Sequence, residues 1–214
     1  MKKGDFIRIN YTGSLESGEV FDITDEIQAK KDGVFDEKMK YGPIPVILGA
    51  NFLVPGLEKA IEGMKVGDKK DIEVAPEDGF GKRNPELVKI VGKNVFRESK
   101  VDPQAGMVVD FSGTKGRVQS ISGGRIRVDF NNPLAGKKLR YHVEITEIIE
   151  GGENKISAVL EFFGIYNAPV KISGNEAEIT FKMPERMKET VSDLITKHVE
   201  GIAKVRFIEV YEKK

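Results

Sequence analysis

Apolar and polar residues alternate in several short stretches near the start of the chain, which is the pattern of half-buried β-strands. One stretch has helical spacing instead, because Leu57, Ala60, Ile61 and Met64 fall on one face of a helix. The predicted strands are residues 5–10, 19–22, 45–49 and 71–74. Strands around one short helix predict an α+β fold.

Two stretches interrupt this alternation. Residues 11–14, with the sequence Tyr-Thr-Gly-Ser, are rich in turn-forming types and predict a turn after the first strand. Residues 24–40 are highly charged, with apolar residues scattered among them. This composition predicts an exposed insertion, most simply a solvated helical excursion without chemistry of its own.

The middle of the chain has a different sequence pattern, in which short strand-like runs are separated by glycine. Residues 118–121 and 125–128 flank the sequence Ser-Gly-Gly and predict a β-hairpin. Residues 139–145 then alternate cleanly and suit the first sheet better than this small β-rich module. We therefore expect the chain to leave the first domain and to return to it.

The last part of the chain predicts a strand, strand, helix, strand order. Gly151 and Gly152, with the polar residues after them, indicate a flexible boundary. The helix is predicted to begin at Pro184 or Glu185 and to end before Gly201. Its apolar stripe consists of Met187, Val191, Leu194, Ile195 and His198. Strands are predicted on either side, at 178–183 and 205–210.

These patterns predict three domains. A discontinuous domain comprises residues 1–83 and 132–150, and an inserted β-rich domain comprises residues 84–131. A C-terminal α+β domain comprises residues 151–214. The apolar fraction of 39% is enough to give each domain a core.

Composition excludes several classes of function. Thirty-four basic residues balance thirty-four acidic ones, so we expect neither nucleic acid nor a membrane surface as a partner. Cysteine is absent, which excludes disulfides and thiolate chemistry. His142 and His198 are too few for a zinc centre, and no nucleotide-binding or metalloprotease motif occurs, so we expect no metal and no cofactor. No apolar run is long enough for a signal peptide or a membrane span, which predicts a cytoplasmic protein.

Five ordered motifs over about the first 145 residues resemble the FKBP family of prolyl isomerases. The matching stretches are Ile9–Gly13, Gly18–Asp22, Leu48–Gly49 with Val54–Gly67, Pro76–Gly81, and Asn132–Gly136 with Leu139–Ile145. The resemblance implies an antiparallel sheet wrapped on a short helix. It also implies peptidyl-prolyl cis-trans isomerase activity on unfolded or proline-containing polypeptides.

Within the family the chain is similar to the SlyD-like branch, in which an insert-in-flap chaperone domain interrupts the flap. Residues 84–131 occupy that position. The insertion at 24–40 and the C-terminal extension resemble the long archaeal members, whose tail domain is associated with dimer formation. The resemblance thus implies a homodimer through the C-terminal domain. The histidine- and cysteine-rich metal-binding tail of bacterial relatives is absent, so nickel binding is not implied.

The resemblance also implies a pocket of mostly apolar and aromatic side chains. Its members are Tyr11, Phe21, Asp22, Ile44, Leu53, Val54, Leu57, Phe80 and Tyr141. Without the resemblance, the four aliphatic members would be interpreted as ordinary core. Tyr11, Phe21, Asp22 and Phe80 are stronger candidates, because turns and loop edges are unusual places for buried aromatic rings.

The inserted domain is expected to hold unfolded chains near the pocket through strand edges and apolar side chains. The candidate residues are Leu87, Val88, Phe96, Met107, Val109 and Phe111. About half of them must form the core of the domain itself.

Three functions are compatible with the sequence. An isomerase that also acts as a folding chaperone is favoured, because the polar and aromatic members of the pocket are retained. The main alternative is a holdase chaperone with negligible isomerase turnover. An assembly factor acting through the C-terminal domain ranks last, because no basic face for RNA is evident.

Overall fold

A computed structural model describes residues 1–98 and 100–211, and it confirms the predicted α+β fold. The strands are Phe6–Leu15 (β1), Val20–Ile23 (β2), Ile44–Ile47 (β3), Lys69–Val74 (β4), Val88–Gly92 (β5), Val108–Phe111 (β6), Thr114–Ser122 (β7), Arg125–Asp129 (β8), Leu139–Ile148 (β9), Val170–Ser173 (β10), Glu176–Thr180 (β11) and Lys204–Ile208 (β12). The helices are Glu26–Lys31 (α1), Pro55–Ile61 (α2), Lys93–Glu98 (α3), Gly152–Phe162 (α4) and Glu185–His198 (α5).

The chain forms two compact units. The main unit comprises Met1–Val74 and Lys138–Lys214, and the inserted unit comprises Ala75–Lys137. None of the helices in the described part of the chain is long and apolar enough to cross a membrane.

The main unit is built on a five-stranded antiparallel sheet. Its order is β2-β1-β9-β4, and β3 pairs with the start of β1. The predicted return of the chain is confirmed, because β9 pairs with both β1 and β4. Ile9 and Ile145 are paired in this register and are fully buried. The helix α2 lies against β4 and buries Leu57 and Ile61, so it forms the apolar layer on one face.

The turn predicted at residues 11–14 is wrong, because β1 continues to Leu15. Strands pair with this segment on both sides: Gly13 lies opposite Asp22 in β2 and opposite Tyr141 in β9. Hydrogen bonding by two neighbours outweighs the local turn preference of these residue types. A register shift in the pairing with β2 follows Gly13, so the ladder is irregular where the turn was expected.

The charged insertion folds as predicted, with the short helix α1 at its start. The Asp25 side chain caps this helix by accepting a hydrogen bond from the Gln28 N–H at 2.8 Å. Ala29 is the buried residue of the helix, and its neighbours are mostly exposed.

The C-terminal part of the main unit begins with the helix α4, which the sequence pattern did not predict. Gly152 starts this helix, and a Cβ there would lie 2.6 Å from Ile172 Cδ1. The buried residues of α4 share one core with Phe6 and Ile47 of the main sheet. Arg8 on β1 binds Glu161 of α4 through two hydrogen bonds of 3.0 and 2.7 Å.

The rest of this region matches the predicted pattern. The helix α5 is confirmed, and Gly201 follows it with a φ of 82°. The strands β10, β11 and β12 form a sheet in that order, in which β11 and β12 are parallel.

The inserted unit contains a four-stranded antiparallel sheet with the order β5-β8-β7-β6. The predicted hairpin is formed by β7 and β8, and Gly123 and Gly124 in its turn have φ values of 54° and 74°. Two positive φ values are the requirement of a tight two-residue hairpin turn. The core of this unit is small and consists of Phe96, Val109, Val118, Ile126 and Val128.

Candidate active site

A hydrogen-bonded polar pair lies at the junction of β1 and β2. The Tyr11 hydroxyl donates to Asp22 Oδ2 at 2.5 Å. The strand register explains the pair, because Asp22 lies opposite Gly13 and Tyr11 is two residues from Gly13 on the same face of β1. Both residues are half-buried, so the carboxylate and the phenol are fixed while remaining accessible from one side.

Thr24 fixes the backbone of Tyr11, a role that sequence reasoning missed. The Tyr11 N–H donates to Thr24 Oγ1 at 2.9 Å, and the Thr24 N–H donates to the Tyr11 carbonyl at 3.0 Å. Thr24 is only 6% exposed, and its hydroxyl also bonds to Asn10 Oδ1 at 3.2 Å. Thr24 directly follows the Val-Phe-Asp-Ile strand, and this position was the sequence feature that could have identified it as a site residue.

Two further aromatic rings, those of Tyr141 and Phe21, pack beside the polar pair. The Tyr141 ring makes edge contacts with Phe21 and Tyr11, at centroid distances of 5.8 and 6.1 Å. Gly13 makes this packing possible, because a Cβ there would lie 2.7 Å from Phe21 Cζ and 3.1 Å from Tyr141 Cε1. Gly13 belongs to the motif Ile9–Gly13 but was not among the predicted site residues.

Burial keeps both phenols protonated. The pKa of Tyr11 is raised far above its usual range by burial first, and then by the nearby charge of Asp22 and the hydrogen bond to it. Burial and the Asp22 charge raise the pKa of Tyr141 to about 12. The site therefore offers neutral hydroxyl groups over the whole physiological pH range.

The aliphatic candidates lie around the start of α2 and on β3. Leu57 is buried, whereas Ile44, Leu53 and Val54 are half-buried. The Val54 carbonyl accepts hydrogen bonds from the N–H groups of Leu57 and Glu58, at 3.0 and 3.1 Å. Within the described residues, the Val54 N–H has no acceptor, so it remains available to a carbonyl from outside the protein.

Tyr11, Phe21 and Asp22 lie in strands and not in turns or loop edges as predicted. Phe80 belongs to the inserted unit, follows a short 3₁₀ turn at Pro76–Asp78, and is 37% exposed. Its assignment to the pocket stays a prediction of the resemblance.

The candidates in the inserted unit divide by burial. Phe96 and Val109 are 1% and 8% exposed and belong to the core, and the Phe111 ring packs against Phe96 at a centroid distance of 5.5 Å. Leu87 and Met107 are 38% and 40% exposed, and Val88 is half-buried. Of the six, Leu87, Val88 and Met107 are thus the members that an incoming chain could touch.

Comparison with known proteins identifies the family. Residues 1–146 match the model of the FKBP-type peptidyl-prolyl cis-trans isomerases. A short-type peptidyl-prolyl cis-trans isomerase of Methanocaldococcus jannaschii is 32% identical over 148 residues, covering 69% of this chain and 94% of that protein. The FKBP-type isomerase SlyD of Haemophilus influenzae is 32% identical over 146 residues, covering 67% of this chain and 77% of that protein.

The chain belongs to the FKBP-type peptidyl-prolyl cis-trans isomerases. It is an isomerase that acts on proline-containing polypeptides. The matched residues include the whole main sheet from β1 to Thr146 of β9, and with it every part of the candidate site in the main unit.

Proposed function

We propose that this isomerase twists Xaa-Pro bonds of unfolded or partly folded proteins by removing them from water. Rotation about the bond is slow because amide resonance must be broken, with a barrier of roughly 18–20 kcal/mol. The twisted transition state loses much of the charge separation of the planar amide. An apolar, water-poor site therefore stabilises it relative to the ground state.

The apolar and aromatic side chains of Phe21, Val54, Leu57 and Tyr141 would enclose the proline ring. Gly13 supports this arrangement, because it leaves room for the Phe21 ring beside Tyr141. No nucleophile, metal or proton transfer is needed, which agrees with the absence of any abstraction step in bond rotation.

The free N–H of Val54 is the best-placed donor for a substrate carbonyl. The single proton of the Tyr11 hydroxyl is already donated to Asp22, at 2.5 Å. Asp22 then acts as a positioning residue that holds Tyr11, and Thr24 holds the same residue from its backbone side. The hydrogen-bonded Tyr11–Asp22 pair in an apolar surrounding is the observation that carries this proposal.

The inserted unit would hold the unfolded chain during catalysis. Its exposed apolar residues include Leu87 and Met107, and the outer edges of β5 and β6 have no neighbouring strand in the described sheet. Unpaired edges accept extended chains. Holding a client in this way raises the local concentration of its prolines to about the millimolar range.

We also propose which branch of the family the chain belongs to. A small sheet inserted before β9 supports the SlyD-like branch with an insert-in-flap domain, and the helix-containing tail after β9 supports a relation to the long archaeal members. We further propose that residues 151–214, which share a core with the main sheet, make a homodimer and that the protein acts in the cytoplasm.

The test is isomerisation of a short Xaa-Pro peptide, measured by NMR exchange or by a protease-coupled assay. We expect Asp22→Ala to lower turnover about tenfold without abolishing it, since loss of one positioning contact of this kind typically costs between one and two orders of magnitude. Tyr11→Phe should have a similar effect. The matched control is Tyr166→Phe, which makes the same change at a tyrosine outside the site.

Unchanged turnover in both site variants would remove the Tyr11–Asp22 pair from the mechanism. No turnover in the wild-type chain, together with suppressed aggregation of an unfolded client, would favour the alternative of a holdase. The exposed apolar residues of the inserted unit are the observation that keeps this alternative open.

A further inference from the structure

A basic cleft of about 600 Å³ lies at the β6 and β7 side of the inserted sheet. It is bounded by β6 and β7 and by the segment that follows β8. Its basic side chains are Arg83, Lys115, Arg117 and Lys137. The whole chain is neutral, but residues 75–137 contain 11 basic and 7 acidic residues, which is a net charge of +4 for the inserted unit.

Among the described residues, Asp129 is the only carboxylate that lines the cleft, and its two oxygens already accept four hydrogen bonds. Oδ2 accepts from Arg83 and from Gln119 Nε2, and Oδ1 accepts from the backbone and side-chain nitrogens of Asn131. Asp129 is 9% exposed. It therefore offsets Arg83.

The side chains of Lys115, Arg117 and Lys137 have no acceptor among the residues that the structure describes. Asp110 lies opposite Lys115 in the register of β6 and β7 and is a negative charge near it, while its Oδ1 accepts from the Gly113 N–H at 2.6 Å. All three cations are exposed. They would interact favourably with carboxylates of an incoming ligand.

The same cleft presents an apolar contact beside these charges. Val108 lines it, is 59% exposed, and lies opposite Arg117 in the strand register. Val108 belongs to β6, the last strand of its sheet, so the backbone next to it can pair with an extended chain. Alternate side chains of such a chain would face Val108 and the cations.

We propose that this cleft selects client segments in which Asp or Glu lies close to apolar residues. The inference rests on the proposed function, because it assumes that the inserted unit holds unfolded polypeptides. Single-stranded nucleic acid is a weaker match, since the described residues that line the cleft include no aromatic side chain for base stacking. An acidic, extended polypeptide satisfies both the cations and the apolar contact.

The experiment uses the full chain and three proline-free peptides of equal length with the repeat Val-Val-Xaa-Xaa, in which Xaa is Glu, Gln or Lys, so that each face of the extended peptide carries both residue types. Binding is measured by fluorescence anisotropy of labelled peptides at low and high salt. We expect the Glu peptide to bind about tenfold more tightly than the Lys peptide, and salt to remove most of the difference. Lys115→Gln with Arg117→Gln should reduce binding of the Glu peptide by about three- to tenfold.

The control variant is Lys89→Gln with Lys93→Gln, which removes the same charge from the inserted unit at residues outside the cleft. It should leave the preference for the Glu peptide intact. Equal effects of the two double variants would overturn the cleft as the selecting site, and so would tighter binding of a single-stranded oligonucleotide than of the Glu peptide.

Isomerisation of a short peptide separates this inference from the proposed function. Equal binding of the three peptides with full isomerase activity would overturn charge selection alone. Absence of both peptide binding and isomerisation would overturn the proposed function as well.

Discussion

The candidate site in the main unit and the sheet of the inserted unit differ in the burial and pairing of their polar groups. Around Tyr11 and Asp22 the polar atoms are paired with each other and partly buried. In the inserted sheet, Lys115 and Arg117 are exposed and lack acceptors among the described residues, and Val108 next to them is exposed too. A site that acts on one kind of bond needs fixed groups, whereas a surface for many different chains needs groups that are free to adapt.

The largest expected effect comes from removing one region altogether. Residues 84–131 can be replaced by a short link, because the Gly136 N–H donates to the Gly81 carbonyl at 2.8 Å across the base of the insertion. We expect this deletion to slow catalysed refolding of a proline-limited protein about a hundredfold, through loss of effective concentration. Turnover of a tetrapeptide should change by less than about threefold, as no pocket residue of the main unit is removed.

Both rates are measured on the same preparation, with refolding followed by fluorescence of the client. If the tetrapeptide rate fell as far as the refolding rate, the two regions would not have separate roles.

Two glycines provide a matched pair of smaller perturbations. A Cβ at Gly13 would meet the Phe21 ring at 2.7 Å, and a Cβ at Gly116 would meet Val128 Cγ1 at 2.5 Å. Gly13→Ala should displace Phe21 and lower tetrapeptide turnover about tenfold. Gly116→Ala should instead destabilise the inserted unit by about 1–3 kcal/mol, because Val128 is fully buried.

Each variant serves as the control for the other. Tetrapeptide turnover, peptide binding and urea unfolding are measured for both. Loss of turnover in Gly116→Ala at full stability of the main unit would contradict the assignment of Gly13 and its neighbours as the site of catalysis.

The smallest expected effect is a dependence of stability on alkaline pH. Burial and the charge of Asp22 raise the pKa of Tyr141 to about 12 in the folded chain, against 10.0 for an unperturbed phenol. The unfolded state releases this proton first, so stability is present below pH 10 and is lost as the pH rises towards 12. Tyr141→Phe should lose less stability over this interval than the wild type.

The inserted unit contains no tyrosine, so tyrosine fluorescence during urea unfolding reports on the main unit alone. Equal losses of stability in the wild type and in Tyr141→Phe would mean that Tyr141 does not cause the effect. Turnover should stay constant up to pH 10 in both proteins, because the mechanism transfers no proton.

The periodicity of apolar residues correctly predicted the helices and strands that bury one face. The helix α5 and the hairpin of β7 and β8 were predicted in this way. Burial of one face produces a regular apolar pattern, which is sufficient to identify the element. The helix α4 was missed because Gly151 and Gly152 were interpreted as a linker. The helical spacing of Ile156, Val159 and Leu160 was the signal that could have identified it.

The candidate site could be predicted in its residue types but not in its contacts. Motifs placed Tyr11 and Asp22 in the site, but their hydrogen bond depends on the register of β1 and β2. The role of Thr24 depends on the same register. The division of the inserted unit into core and exposed residues depends on which face of its sheet is covered, and alternation alone does not determine that.

The connectivity of the main sheet also fixes an order of events during synthesis. The strand β1 ends at Leu15, but its partner β9 begins only at Leu139, after the whole inserted unit. At roughly 5–20 residues per second, the ribosome needs on the order of 10 s to reach β9 after completing β1. The inserted sheet, which is continuous in sequence, can close within this interval. The inserted unit, which we propose holds unfolded chains, can thus be complete before β9 of the main sheet has been synthesised.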